Sequence, residues 1–438
     1  MVISCLLLLS THPKWSQINV IFKKKDMKVL WFVQKNFDPS KEKNGYNGAG
    51  WISSLRDQLI KHDNIELALA FFSNDAQSGF ACGVKYFSMP TPKLPLVQKI
   101  ILRCRRDLIK EEMALWPLYK KEMLKVVNDY NPDIIQIFGT ENKYGLLATT
   151  DLSIPILIHL QGMVNPIFNA YLPPFVSWHN YLGFTPFLKK NTKDIWKTLC
   201  YSEKVILSHA KNVLGRTDWD EKVSKIYSPQ RSYYYCSEIL RSEFYETSLK
   251  RQIPKQLCIV SIISSPLYKG YDLILKTAQL LCQQLKLDFV WKVFGNVEYA
   301  STEKRLLIKH QDVHVKLCGV KNAHEIKDEL LHSTVYVHPS YIDNSPNSVC
   351  EAQFLGCTCI STNVGGTSSI VEDGKTGFLV PSNDPYKLAS LIDSLYNDEK
   401  LNIQIGDNSK KIASVRHNRE NITNSLINIY SNILENKN

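Results

Sequence analysis

The sequence predicts an α/β chain built as two doubly wound domains with parallel sheets. Three observations carry that prediction. At 438 residues the chain exceeds the length at which a single hydrophobic core usually keeps growing, so two domains are expected. Short apolar, β-branched runs alternate with amphipathic helical stretches along most of its length, which is the pattern of repeated β-α units. Most of these runs end in polar or glycine-bearing loops, and loops at the carboxyl ends of parallel strands are where such sheets bind ligands.

Residues 1–26 are expected to be an extension outside the fold. Leu6–Leu9 are apolar, but no basic region precedes them and no small-residue cleavage site follows, so a signal peptide fits poorly. Lys23, Lys24, Lys25 and Asp26 then break the pattern, and Met27 is read as the functional start, with an amphipathic anchor as the alternative. The first domain is placed at 27–245. It opens with the strand KVLWFVQ, a loop holding Gly45, Gly48 and Gly50, and a helix with Trp51, Ile52, Leu55 and Leu59 on one side. That loop lacks the third glycine of a G-x-G-x-x-G dinucleotide fingerprint. Strands are expected at 66–72 and 83–87, followed by one long basic helical stretch over 96–129. The apolar runs in 131–141 and 154–163 read as two more strands whose polar ends make Glu141 and Gln161 candidates for a cleft, whereas His159, inside its strand, reads as a hydrogen-bonded core residue.

Residues 164–200 interleave Phe168, Tyr171, Trp178, Tyr181 and Trp196 with basic side chains; such a segment stacks bases, lies on a bilayer, or packs as a lid or helical excursion. The string from Val205 to Lys222 closes the first domain. Its Asp218-Trp219-Asp220 has the form of a D-x-D metal motif, discounted because a complete second α/β domain follows. That domain is placed at 246–415, with a strand after Pro254, Lys269-Gly270 at the end of the next loop, and strands over 289–295 and 313–319, where Gly295 allows close approach. After Pro381 two helices are expected, 385–397 and a final amphipathic one ending near Ile433, with 416–438 as a terminal element.

Composition narrows the class. An apolar share of 44% with 22% charged residues is globular. The formal charge of +11 suits nucleic acid, an anionic membrane surface or phosphate-bearing substrates; neither an RNA-binding strand signature nor a Cys/His finger spacing is present, so no nucleic-acid partner is expected. The 11 cysteines are an odd number and mostly lie in apolar runs, as thiols in a reducing compartment do, and no metal-ligand spacing accompanies them. No apolar run reaches the ~20 residues of a membrane span.

The most informative stretch is 335–381. A strand from Val335 is followed by a polar loop, then Ser345 as a helix N-cap and Pro346 as the first helical residue, with the helix stopping at Gly356. The free N–H groups of Asn347, Ser348 and Val349 would form an anion site, and Glu351 lies on the same face. A second strand, 357–361, leads to Gly365 and Gly366, whose backbone N–H groups would approach a phosphate closely.

Here the residues carry a resemblance. Asp343, seven residues, Glu351 and Ala352, followed by VGG and EDGKTGFLVP, resemble the donor-binding region of retaining glycosyltransferase family 4, which has the GT-B fold. The family usually has Glu where Asp343 stands, one methylene longer. The resemblance covers roughly 27–433 and implies two Rossmann-like domains facing across a cleft, with a last helix crossing back to the first. It implies that Glu351 bonds the donor ribose, that Asp343 sits toward the transferred sugar, and that Lys269 meets the diphosphate without the usual companion Arg, whose position holds Ser264. It also places Gly48, Gly50 and Arg216 along the cleft. The implied activity is retaining, metal-independent transfer of a sugar from a nucleotide-diphosphate donor to a glycan or lipid-linked acceptor in cell-surface polysaccharide synthesis. No cofactor is expected, and the protein is expected in the cytoplasm with peripheral contact to the inner membrane face. A catalytically silent sugar-nucleotide-binding subunit, or a GT-B-like epimerase or phosphorylase, remains as the alternative.

Overall fold

The structure is a computed structural model that describes residues 27–35, 38–39, 50–74, 76–104, 107–174, 176–182, 191–246 and 250–436. The expectations for residues 1–26, Gly45 and Gly48 lie outside these.

Fourteen strands are described: β1 (Met27–Phe32), β2 (Ile65–Ser73), β3 (Ser78–Ala81), β4 (Val84–Pro90), β5 (Ile134–Phe138), β6 (Ile156–His159), β7 (Asn212–Gly215), β8 (Ser232–Tyr235), β9 (Leu257–Ile262), β10 (Phe289–Phe294), β11 (Val315–Gly319), β12 (Val335–His338), β13 (Cys359–Thr362) and β14 (Phe378–Val380). They form two sheets, one in the order β3-β4-β2-β1-β5-β6-β7-β8 and the other β11-β10-β9-β12-β13-β14. Every pairing is parallel except that of β3 with β4. This is the GT-B fold.

The central strands read as unbroken apolar runs because both faces are covered by helices. On one face of the first sheet, Val29, Trp31 and Phe138 pack with Trp51, Ile52 and Leu55; on the other, Leu30, Ile135 and Ile158 pack with Met123, Val127 and Ile206. The second sheet buries Ile259, Trp291 and Val337 on one side and Val260, Tyr336 and Val349 on the other.

The last helix, Arg419–Glu435, leaves the second domain and lays Ile422, Leu426, Ile429, Tyr430 and Ile433 into the first-domain core. Its anchor is polar. The Trp31 indole N–H donates to the Tyr430 hydroxyl at 2.9 Å, and that hydroxyl donates in turn to Gln136 Oε1, all three being buried.

Several expected boundaries are corrected. The stretch 96–129 is two helices, Leu96–Cys104 and Leu108–Tyr130, and Asp107 caps the second by accepting from the Lys110 N–H. The region after Pro381 holds three helices rather than two, because the chain breaks at His417 and restarts with Asn418 accepting from the Asn421 N–H. Strand β13 starts two residues later than expected, and β3, β7, β8 and β14 were not anticipated. Among the described cysteines all are free thiols; Cys258, Cys357 and Cys359 are buried, but Cys318 is only partly so.

Replacing Tyr430 by Phe would strand the buried Trp31 N–H and Gln136 Oε1 without changing apolar packing. A loss of about 1–3 kcal/mol is expected, read as a lower urea midpoint. An unchanged midpoint would show that the hydroxyl does not hold the last helix to the first sheet.

Candidate functional site

A cavity of about 1270 Å³ opens between the carboxyl edges of the two sheets. Loops after β9, β10 and β12 line one wall; the start of the helix Gly50–Leu59, the end of β6 and Arg216 line the other. Of the sequence-derived candidates, Gly50, Gln161, Arg216, Ser264, Lys269, Gly295, Asp343, Asn347, Ser348 and Glu351 line this space.

Lys269 and Asp343 face each other. Gly270 follows Lys269 at φ +79°, and a Cβ there would sit 2.0 Å from the Pro339 carbonyl oxygen, so glycine lets the β9 loop close against the β12 loop. Lys269 Nζ then reaches Asp343 Oδ2 at 2.7 Å. His338 Nε2 donates to the same oxygen at 3.1 Å, and the Asn344 N–H donates to Oδ1 at 3.1 Å. Burial opposes ionisation of Asp343, but Lys269 and His338 outweigh it and hold the carboxyl well below its ordinary range.

Glu351 is 4% exposed and meets Arg241, which donates from Nε to Oε1 at 2.7 Å and from a terminal nitrogen to Oε2 at 2.8 Å. Burial pushes the Glu351 carboxyl up, more than Arg241 pulls it down. Asn347 and Ser348 open the helix beside it. Two details of that helix start differ from expectation: Pro346, not Ser345, is the N-cap, and the Val349 N–H is taken by the Pro346 carbonyl at 2.9 Å. The Ser345 hydroxyl instead donates to Glu238 Oε1 at 3.0 Å.

The structure gives Gly365 and Gly366 a packing role beside the phosphate approach expected of them. The Gly366 N–H donates to the Asp343 carbonyl at 3.0 Å, and a Cβ on Gly365 would lie 1.9 Å from that same oxygen. Their missing side chains let the β13 loop brace the Asp343–Asn344 backbone, and neither residue lines the cavity. Gly295 does line it, at φ +113° and with the Ile263 carbonyl 1.9 Å from where a Cβ would stand.

The first-domain wall is held by Arg216, which lies 5.2 Å above the Trp51 ring, pairs with Glu238 at 3.0 Å, and donates to the Gln161 carbonyl at 2.8 Å. The Gln161 side-chain nitrogen is buried with no hydrogen-bond partner among the described residues. His159 is buried at the end of β6, its Nδ1 3.1 Å from Gln136 Nε2, and burial lowers its pKa to about 3. Asp220 accepts from the Arg216 N–H, the Asn344 side chain and the Tyr233 hydroxyl, and so braces the domains, whereas Asp218 is exposed and pairs with Lys222. Among the described residues no group of three or more His, Cys, Asp or Glu side chains is arranged to hold a metal ion.

Glu141 is not part of the cavity lining. Gln34 donates to its Oε1 at 3.0 Å, Oε2 is buried without a partner among the described residues, and burial raises its pKa to about 7. Glu238, Arg241, His338 and Asn344 were missed by the sequence reasoning. Arg241 gave a faint signal, as a cation set between Leu240 and the aromatic pair Phe244-Tyr245.

Because the folded value for Glu141 lies above the ordinary 4.5, the folded state holds its proton more tightly. That contribution is full below about 4.5 and is lost as pH rises through about 7. Glu141→Gln should therefore gain melting temperature relative to wild type between pH 5 and pH 8. A gap that stays constant with pH would show that Glu141 titrates normally.

Comparison with known proteins follows the same geography. Residues 247–412 match the family model described as glycosyl transferases group 1. The capsular polysaccharide biosynthesis glycosyltransferase CapM of Staphylococcus aureus is 35% identical over 101 residues, 23% of this chain and 27% of that protein. The matched stretches span from 27% to 42% of the lengths of the first curated relatives. Among solved structures, the sucrose-phosphate synthase tll1590 of Thermosynechococcus elongatus superposes with a TM-score of 0.68 at 15% identity, covering 93% of this chain and 99% of that one. Anabaena Alr3699/HepE, solved in complex with UDP-glucose, gives 0.60 at 14% identity over 93% and 100%. The chain thus has the two-sheet GT-B architecture throughout, and its second sheet lies within a segment that matches glycosyl transferases group 1.

Proposed function

We propose that this protein is a glycosyltransferase that moves a sugar from a nucleoside-diphosphate donor to a glycan or lipid-linked acceptor, with retention, in the synthesis of a cell-surface polysaccharide. The observation that carries this is the interdomain cavity, where Lys269, Asp343, Glu351 and the uncapped helix start at Asn347 and Ser348 come together. The names of CapM and of the HepE complex with UDP-glucose support the substrate class.

The chemistry asks for stabilisation of a departing diphosphate, which preorganised charge and N–H dipoles supply without reorganisation. Lys269 and the helix start are suited to that task. Glu351 accepts the ribose hydroxyls, Asp343 sits toward the transferred sugar, and the leaving phosphate takes the acceptor proton. Gln161, with its buried unpartnered amide nitrogen, faces the acceptor. The proposed transfer is metal-independent, a reading supported by Asp220 being taken up by Arg216 and Asn344. Turnover should persist in EDTA, measured as release of nucleoside diphosphate from a panel of nucleotide sugars. Lys269→Ala should lower kcat/KM about tenfold to a hundredfold, as expected for a charge-assisted bond of roughly 1.5–3 kcal/mol. No release from any donor, or an unchanged kcat/KM in the variant, would overturn the assignment.

Peripheral membrane contact is proposed for the helix Leu96–Cys104, none of whose residues is buried. Leu96, Val97, Ile100 and Ile101 are 71%, 70%, 50% and 47% exposed in one stripe flanked by Lys99 and Arg103. A basic amphipathic helix with a bare apolar face suits an anionic bilayer. Among the described residues no helix is long and apolar enough to cross a membrane. The described part of 164–200 is a different feature, with Tyr171 packed against Trp178, Trp196 and Tyr268. The double variant Ile100→Ser, Ile101→Ser should lose cosedimentation with vesicles containing phosphatidylglycerol while keeping nucleotide release. Equal sedimentation of both proteins would remove this helix from the contact.

A further inference from the structure

Besides Arg56 with Asp57, two cation–carboxylate pairs line the cavity, and they are built differently. Asp343 has fixed company: besides Lys269 it is held by His338 and by the Asn344 N–H. Glu351, among the described residues, takes hydrogen bonds from Arg241 alone, and Arg241 gives them to Glu351 alone. Arg241 comes from the segment that connects the two sheets, just before the short helix Ser242–Tyr245. Its guanidinium lies 5.0 Å over the Phe244 ring, and its side chain remains 25% exposed to the cavity.

Room for it is prepared from the first domain. A Cβ on Gly50 would stand 2.7 Å from Arg241 Cγ and 2.9 Å from Cδ, so the absence of a side chain at the start of that helix is what admits the arginine stem. Three parts of the chain therefore converge on one guanidinium: the connection, the helix Gly50–Leu59 and the helix Asn347–Leu355.

The β9 loop brings one cation, Lys269, whose charge is already matched by Asp343, while Ser264 and Ser265 beside it are neutral. A nucleoside diphosphate carries more than one negative charge and needs a further cation; Lys35, Arg56, Arg216 and Lys321 also line the cavity, but Arg241 is the guanidinium paired with a residue of the helix that opens at Asn347 and Ser348. A guanidinium fork matches phosphate oxygens as well as it matches a carboxylate.

Resting on the nucleotide-sugar proposal above, we propose that Arg241 is a diphosphate-binding residue that exchanges partners. As the nucleotide enters, the fork passes from Glu351 to the phosphate oxygens, and Glu351 is released to accept the ribose hydroxyls. The two events are coupled because one side chain serves both. A nucleoside without phosphates must compete with Arg241 for Glu351, whereas a diphosphate removes that competitor.

Isothermal titration calorimetry of the full chain with UDP, GDP and ADP, each beside its own nucleoside, tests the exchange. Arg241→Ala should weaken the nucleoside diphosphate that binds by about tenfold to a hundredfold, while the nucleoside binds equally well or better. Arg241→Lys, which keeps the charge and loses the fork, should fall between. Gly50→Ala leaves both charges in place but puts a methyl group on the arginine stem, and should also reduce the preference for diphosphate over nucleoside. Equal weakening of diphosphate and nucleoside would mean that Arg241 only props Glu351, and would overturn the exchange, as would an unchanged preference in all three variants. If none of the three diphosphates binds the wild-type protein, the donor assignment itself fails and the exchange with it.

Discussion

The buried ion pair of Arg216 with Glu238 is the interaction on which the arrangement of the two sheets depends. Arg216 stands at the end of β7 and Glu238 just beyond β8, where the chain begins its crossing to the second sheet. From there Glu238 accepts from Ser345 in the second domain, and its carbonyl accepts from His417 Nδ1 at 2.8 Å, where the chain crosses back. Both crossings thus meet at one residue. Taking two charges out of water is expensive, and such pairs seldom add much net stability. This one defines a geometry instead, because removing either partner would leave a buried charge uncompensated. Burial opposes ionisation of Glu238, yet Arg216 and His417 hold its carboxyl below the ordinary range.

Beside it, Thr217, Asp220 and Asn344 form a second polar contact across the domains. The Thr217 hydroxyl donates to Asn344 Oδ1 at 2.6 Å, and the Asn344 amide donates to Asp220 Oδ2 at 2.8 Å. Asn344 follows Asp343 directly, so the contact that sets the cleft also sets the backbone of a cavity residue. The Gly366 N–H and the closely packed Gly365 secure the same backbone from below. The position of Asp343 is therefore inherited from interdomain contacts, and its charge from Lys269 and His338.

Much of the fold was legible because its strands are covered on both faces, which writes them into the sequence as continuous apolar runs. Strands β1, β2, β5, β9 and β12 have this character, and their burial shows why. Strand β8, Ser-Tyr-Tyr-Tyr at a sheet edge, and the three-residue β14 leave no such trace. Helix breaks were harder still: Asp107 and Asn418 stop one helical pattern and start another without changing its polarity. At the site, helical spacing put Glu351 on the face of the helix start, whereas Asp343 and Lys269 were singled out through the family resemblance. Neither route supplied the partner of Glu351. Arg241 lies 110 residues from Glu351 in sequence, and only the crossing of the chain between sheets brings them together. Gly365 and Gly366 illustrate the converse, because a glycine pair that admits a phosphate and one that admits another loop look alike in sequence.

We propose that the cleft bordered by these contacts receives a nucleoside-diphosphate sugar. Thermal unfolding of the full chain with UDP-, GDP- and ADP-sugars, each set against the matching nucleoside monophosphate and the free sugar, tests it most directly. A ligand at a hundredfold excess over its Kd stabilises the folded state by about 2.7 kcal/mol. One nucleotide-sugar series should therefore raise Tm clearly, with the monophosphate and free sugar well behind. If no nucleotide sugar moves Tm, or the monophosphate does as well as the diphosphate sugar, the cleft is not the donor site.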